Sequence, residues 1–318
     1  MARRKSEDKY DITQSPLYKL RSKKKLASIL ILPSHTDLNK ILRLKEPYRM
    51  FKLPGKGKLR QVEVPNERLL LIHNRLFSLL KRIQLPDYLH SGIKGRSYLS
   101  NAEAHMGQKV AYTLDIKKFY PSVTRAKVAS FFRNKMGCSE DIAGILANIT
   151  TCDGHIPTGS ALSQILAYLA CKNMFDELKN ASIEAKLIMT CYVDDLTFSG
   201  DKITKRWVHE CIKPIITRFG MKSHKDKFFD VGQVKEITGV IIDGNTKKLC
   251  NRMHKSIHEL LMKISETEDA QRLNSLYNKL IGKLSAAGQI DEKFKKKRIK
   301  ATVTRRHHVA KLLASSVE

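Results

Sequence analysis

Two adjacent aspartates stand inside the run Leu187-Ile188-Met189-Thr190-Cys191-Tyr192-Val193-Asp194-Asp195-Leu196-Thr197-Phe198. The apolar residues before them, and the β-branched and aromatic residues after them, read as two strands joined by a tight turn. The carboxylates then sit at its tip. Neighbouring like charges repel, and burial disfavours each ionised form. A divalent cation relieves both problems, because hard cations such as Mg²⁺ take carboxylate oxygens. A solvated Asp-Asp turn is the plainer alternative, since Asp is a common turn residue.

The rest of the chain decides which alternative has support. Its 318 residues, 42% of them hydrophobic, are enough for a large core and for one to three domains. Lys and Arg number 59 against 31 Asp and Glu, a formal net charge of +28. Such a balance usually serves a polyanion, most often nucleic acid, although a basic solvated surface would have the same composition. No run approaches the ~20 apolar residues that span a bilayer. The charged start, Met1-Ala2-Arg3-Arg4-Lys5, is not followed by an apolar signal core, so a cytoplasmic location is expected. Six cysteines are scattered without a Cys-x-x-Cys pair, which indicates neither a zinc site nor a disulfide framework.

Taken in order, Asp37 to Leu44 reads as a short helix and Tyr48 to Leu53 as a strand. Pro54-Gly55-Lys56-Gly57 marks a turn, and Leu59, Val62 and Val64 alternate as a second strand. The hairpin carries Lys56, Lys58 and Arg60 near its tip. It could grip a triphosphate or guard a sheet edge with lysine. Apolar spacing predicts an amphipathic helix over Glu67–Ile83. His90 to Ser97 is a Gly-Ser-basic loop suited to phosphate. Asn101 and His105, four apart, should share one helical face.

Val110 to Ile116 is strand-like, with Asp115 near its end. Helices are expected over Arg125–Asn134, Glu140–Ile149 and Ala161–Leu178, and over Lys202–Phe219 with a kink at Pro214. Gly220 to Phe228 reads as a basic loop and strand, and Glu236 to Asn245 as a strand with a Gly-Asn turn. From Arg252 onward the chain reads as helical, with basic residues crowding its last segment. Asp115 precedes the Asp-Asp pair by about eighty residues, with helices between that can return the chain. A βαββαβ-like arrangement would bring the three carboxylates to one sheet edge, where two Mg²⁺ ions could support phosphoryl transfer.

These motifs together resemble reverse transcriptases. Tyr192-Val193-Asp194-Asp195 is similar to their tyrosine-x-Asp-Asp box, and Leu114-Asp115-Ile116-Lys117-Lys118-Phe119-Tyr120-Pro121-Ser122 to their first catalytic-aspartate motif. Pro157-Thr158-Gly159-Ser160-Ala161-Leu162-Ser163 resembles the loop that holds the incoming nucleotide. Gly220 to Lys227 resembles the next motif, and Ile237-Thr238-Gly239 the primer-grip hairpin. Within the class, Asn101-Ala102-Glu103-Ala104-His105 and Ile237-Thr238-Gly239 resemble the two insertion motifs of bacterial retron reverse transcriptases.

The resemblance implies an α+β right-hand polymerase. Residues 1–110 would form an N-terminal extension and fingers, 111–245 a palm of antiparallel sheet with packed helices, and 246–318 a helical thumb. It implies catalysis and metal binding by Asp115, Asp194 and Asp195, with the Ile116 carbonyl as a further ligand for two Mg²⁺ ions or Mn²⁺. It places Lys58, Arg60, Tyr120, Thr158, Gly159 and Lys227 at the nucleotide. It places Asn101, His105, Tyr192, Thr238, Gly239, Arg298, Arg305 and Arg306 at primer or RNA.

The implied partners are a cognate non-coding RNA of the msr–msd type, an RNA–DNA hybrid, dNTPs and an effector or toxin protein. The implied role is synthesis of a small single-stranded DNA, primed from a guanosine 2′-hydroxyl, in phage defence. Another defence-associated or group II intron-like enzyme, or a non-catalytic RNA-binding scaffold, would share parts of this pattern. Val193 stands where many bacterial relatives have alanine, Thr158 where the family usually has glutamine, Gln164 where it has proline, and His224 where it often has asparagine.

Overall fold

Strand β3 (Val110–Ile116) carries alternating duties. Tyr112, Leu114 and Ile116 are buried on one face, while Thr113 and Asp115 are only half-buried on the other. That alternation sets the sheet around it. A computed structural model describes residues 9–55 and 59–315 of the chain. Its elements begin with α1 (Lys23–Ile29), α2 (His35–Leu42), the hairpin β1 (Tyr48–Pro54) and β2 (Leu59–Pro65), α3 (Glu67–Leu80) and α4 (Tyr98–Glu103). After β3 come α5 (Phe119–Ser122), α6 (Arg125–Ser130), α7 (Glu140–Thr150), α8 (Leu162–Ala170) and α9 (Lys172–Glu184). Then follow β4 (Ile188–Tyr192), β5 (Asp195–Gly200), α10 (Lys205–Trp207), α11 (Lys213–Arg218) and β6 (Ser223–Phe229). The chain closes with β7 (Lys235–Ile237), β8 (Val240–Asp243), β9 (Thr246–Leu249), α12 (Asn251–Ser265), α13 (Ala270–Ala287) and α14 (Lys293–Ser315).

The central sheet has the order β4-β5-β3-β6 and is antiparallel throughout. With α6 to α9 between β3 and β4, and α10 and α11 between β5 and β6, this is the expected βαββαβ arrangement. Leu114, Leu196, Phe198, Met189 and Cys191 join Phe132, Leu166 and Phe175 in one core beneath the sheet. The opposite face of the sheet is polar, with Thr190, Thr197 and Ser199 nonetheless buried. The last three helices have a separate core built on Leu273, Leu280 and Leu284. A third, small cluster unites Ala102 of α4 with Ile237, Val240 and Ile242 of the sheet β7-β8-β9.

Several elements differ from the sequence expectation. The expected helix Ala161–Leu178 is two helices. Its backbone leaves helical geometry at Cys171 (φ −109°, ψ 11°), and α9 packs on β4. The expected helix Lys202–Phe219 is interrupted by a π turn over Val208–Ile212, just before Pro214, whose missing N–H is tolerated in the first turn of α11. Glu236 to Asn245 is not one strand. It folds back at Thr238 (φ 46°) and Gly239 (φ 81°) to make β7 and β8. Helix α4 ends at Glu103, so His105 lies just beyond its last turn.

Candidate active site

The hairpin β4–β5 closes on Tyr192 paired with Asp195, leaving Val193 and Asp194 as a two-residue turn. Val193 takes φ 60° there, an unfavourable conformation for a β-branched residue. Its N–H donates to Ser91 Oγ at 2.9 Å. The loop bearing Ser91 runs beside β4, with Cys191 N–H donating to the Tyr88 carbonyl and His90 N–H to the Cys191 carbonyl. Arg96 spends its guanidinium on the carbonyls of Pro86 and Leu89 and on Asp87. This loop therefore buttresses the hairpin tip, and one of its basic groups, Arg96, is engaged internally.

Asp115 stands directly opposite Asp195 across β3 and β5. Ile116 N–H donates to the Asp194 carbonyl at 2.9 Å, and the Ile116 side chain is fully buried. Three carboxylates are thus gathered by register, not by sequence proximity. Directly opposed like charges destabilise a sheet. Burial, then the charges of Asp194 and Asp115, pushes Asp195 up to about 6. Burial, then Asp115, also pushes Asp194 upward.

Partial compensation comes from β6. A bulge between Thr113 and Asp115 shifts its register, and Lys225 takes φ 58°. His224 Nε2 then lies 2.6 Å from Asp115 Oδ1, and Lys225 Nζ lies 2.5 Å from Oδ2. The hydrogen bond to Asp115, with the surrounding carboxylate charge, raises the Lys225 ammonium above its usual value.

Two clefts flank the carboxylates and share Asp115 and Lys225. The larger, about 800 Å³, is lined by Arg60, Glu63, Tyr120, His155, Thr158 and Asp194 among others. Burial, then Asp194, pushes the Tyr120 phenol up to about 12, so it stays protonated at neutral pH. Thr158 Oγ1 donates to the Gln61 carbonyl and accepts from Glu63 N–H, both at 3.3 Å. The Glu63 carboxylate accepts from Thr158 N–H at 3.3 Å and contacts His155 Nε2 at 3.2 Å. Sequence reasoning missed Glu63 and His155. A glutamate in a strand beside lysines reads as surface, yet Glu63 is only 4% exposed.

The smaller cleft, about 310 Å³, is lined by Thr113, Tyr192, Asp195, Lys227, Thr238 and Gly239 among others. Tyr192, Thr238 and Gly239 were expected together at the primer, and they share this cleft.

The structure places four of the expected residues differently from the expectation. Lys227 was expected at the nucleotide. It lies opposite Thr113 in the smaller cleft, because the β6 bulge brings Lys225 to the carboxylates instead. Gly159 was expected to approach the nucleotide, but its close approach is to β2. A Cβ there would lie 2.7 Å from the Glu63 carbonyl oxygen and from Val64 Cγ2. Asn101 and His105 were expected to face or organise RNA. Both are fully buried, which removes the direct contact. The Asn101 amide meets no hydrogen-bond partner among the described residues, at a cost of about 1–3 kcal/mol for such a group.

The remaining expected residues lie apart from the carboxylates. Arg298 borders an open cleft between α4 and the last helices. Arg305 donates to Asn274 Oδ1 at 2.8 Å, and Arg306 is exposed. Lys58 lies outside the described residues.

Residues 47–237 match the model of the family described as reverse transcriptase (RNA-dependent DNA polymerase). The chain belongs to the reverse transcriptase family. The α+β polymerase fold and the enzyme class, RNA-directed DNA polymerase, follow from that membership and agree with the sheet described above.

The resemblance to bacterial retron enzymes is borne out as well. The chain is 27% identical over 259 residues to the retron Se72 reverse transcriptase of Salmonella heidelberg (strain 579083-10), spanning 76% of this chain and 68% of that one. It is 26% identical over 250 residues to the retron Mx65 enzyme of Myxococcus xanthus, spanning 70% of this chain and only 57% of that one. It is 25% identical over 217 residues to the retron Ec86 enzyme of Escherichia coli, spanning 66% and 68%.

The family works with divalent metal ions. Among the described residues no three His, Cys, Asp or Glu side chains form a ready-made ion cage. Lys225 and His224 hold the Asp115 carboxylate instead. The donor chemistry nevertheless fits such ions. Two of three gathered carboxylates are pushed toward protonation by burial and mutual repulsion, so the site is short of positive charge.

Proposed function

We propose that this enzyme copies part of a cognate, structured non-coding RNA into a small single-stranded DNA. Synthesis starts from a guanosine 2′-hydroxyl of that RNA and gives a branched RNA–DNA in an anti-phage system with an effector protein. The observation that carries the catalytic part is the placement of Asp115, Asp194 and Asp195 between two clefts. The retron part rests on the two insertion motifs and on the names of the relatives. Residues 1–110 act as extension and fingers, 111–245 as palm and 246–318 as thumb.

In this reading the larger cleft takes the incoming dNTP and the smaller one the end of the growing strand. Two Mg²⁺ ions, or Mn²⁺ in their place, held by Asp115, Asp194, Asp195 and the Ile116 carbonyl, would activate the attacking hydroxyl and stabilise the departing pyrophosphate. Arg60, with Lys58, grips the triphosphate. Tyr120 packs under the sugar, and Thr158 forms part of the cleft wall. Tyr192, Thr238, Gly239 and Lys227 hold the primer end. The exposed lysines and arginines of α14, Arg298 and Arg306 among them, meet the phosphates of the RNA and of the RNA–DNA hybrid.

Co-expression with the neighbouring non-coding locus, followed by sequencing of the nucleic acid that purifies with the protein, tests the reading. A discrete DNA joined to RNA through a 2′-linkage is expected, and Asp194→Asn should abolish it. Random or protein-primed DNA would exclude the retron role. DNA that persists in the Asp194→Asn variant would exclude the catalytic assignment.

A further inference from the structure

The polar face of the catalytic sheet carries a pair of buried hydroxyls that the catalytic assignment does not use. Thr190, on β4, lies four residues before Asp194, and Ser199, on β5, lies four residues after Asp195. Thr190 pairs with Thr197, so Thr190 and Ser199 sit on one face of the two hairpin arms. They are 2% and 0% exposed. His105 bridges them, with Nδ1 2.6 Å from Ser199 Oγ and Nε2 2.7 Å from Thr190 Oγ1. Burial pushes the imidazole down to about 3, so the ring is neutral, with one nitrogen donating and one accepting. Each hydroxyl can take either role, which satisfies both nitrogens.

The same short segment reaches three other places. The Tyr98 carbonyl accepts from Thr238 Oγ1 at 2.7 Å, on the turn that borders the smaller cleft. Gly107 N–H donates to the Gly244 carbonyl at 2.9 Å, and Glu103 pairs with Lys247 of β9. The Tyr98 hydroxyl donates to the Ala286 carbonyl of α13 at 3.4 Å. Residues 98–107 therefore touch both arms of the catalytic hairpin, the sheet β7-β8-β9, and the last helices.

We propose that His105 is a positioning residue that fixes the catalytic hairpin to α4, and that α4 in turn holds the hairpin in register with the Thr238–Gly239 turn and the C-terminal helices. The alignment it maintains is that of the carboxylates with the strand end in the smaller cleft. A core histidine that only fills space would not need two hydroxyl partners, one on each arm. This inference rests on the polymerase reading above.

Primer extension by the full chain on poly(rA)–oligo(dT), with dTTP and Mg²⁺, tests it. Thr190→Val keeps the shape and removes the hydroxyl. It should lower kcat by about 10–100-fold, the usual effect of losing such a supporting bond, with KM for dTTP and Tm little changed. Thr190→Ser should restore most of kcat. Thr238→Val cuts the other end of α4, and the double variant should lose less than the product of the two single losses.

Wild-type kcat in Thr190→Val, failure of Thr190→Ser to restore it, or independent single effects would each overturn the proposal. Amide exchange over residues 188–199 reads the same link without catalysis. It should quicken in Thr190→Val and not in Thr190→Ser, and unchanged exchange in Thr190→Val would overturn the proposal. A wild-type chain that extends no primer would count against the polymerase reading, and the exchange measurement would still decide this one.

Discussion

The two clefts beside the carboxylates share Asp115 and Lys225 but are walled in different ways. The larger is closed by backbone stitching between β2 and the Pro157–Ser160 loop, through Glu63, Thr158 and the Gly159 N–H. Its far wall is held by close approach and has no room for an added methyl at Gly159. The smaller is closed by the Thr238–Gly239 turn, which α4 holds from behind through Tyr98. One wall belongs to the N-terminal hairpin and the other to a sheet downstream of the central one. Changes in either wall should therefore be felt on one side, and changes in the three carboxylates that lie between the clefts on both.

The largest expected effect strikes both sides. Asp195→Asn should lower primer-extension kcat by about a thousandfold or more, as for loss of a principal charge-stabilising group. The same change should raise the Tm of the metal-free protein at neutral pH, because it removes one of the opposed charges. Activity within tenfold of wild type would break the comparison at its root.

Gly159→Ala should act on the larger cleft alone. Overpacking against β2 should cost about 1–3 kcal/mol of stability and raise KM for dNTP several-fold, with affinity for a template–primer duplex unchanged. Equal effects on both affinities would mean the clefts are not separately walled.

A smaller effect should separate the shared charges from the walls. Lys225→Ala removes the ammonium from Asp115, so the metal-free protein should melt lower. Mg²⁺ should then raise Tm more in the variant than in wild type, since binding to the native state stabilises by mass action. An equal Mg²⁺ shift in both would remove Lys225 from the shared site.

The smallest effect is in pH. Asp195 is pushed up to about 6 in the folded chain from an ordinary 3.8. The folded state holds that proton more tightly, so this group favours folding below about pH 4 and loses that contribution as pH rises toward 6. Metal-free Tm should fall across that window, and Asp195→Asn should flatten the fall. An identical slope in the variant would assign it elsewhere.

Much of this was legible without coordinates. Runs of apolar, β-branched and aromatic residues marked β3, β4 and β5, and the three aspartates fell at their ends. Other features were not legible, for reasons that can be named. The β6 bulge exchanges Lys227 for Lys225, and a one-residue irregularity leaves no trace in composition. Glu63 is polar in sequence and buried in fact, because its partners lie about ninety residues away. The resemblance placed His105 and Asn101 at RNA, yet both are fully buried.

The sequence by itself determined the strands that bear the aspartates, the order of the motifs and the identity of the carboxylates. Periodicity and residue chemistry are local properties, and a chain of this length states them directly. Only the tertiary structure decided which residues meet. It set Asp115 against Asp195, put Lys225 between two clefts, and turned His105 inward to join the arms of the hairpin. Register, bulges and the docking of α4 depend on contacts between distant segments, whose energies no local pattern records.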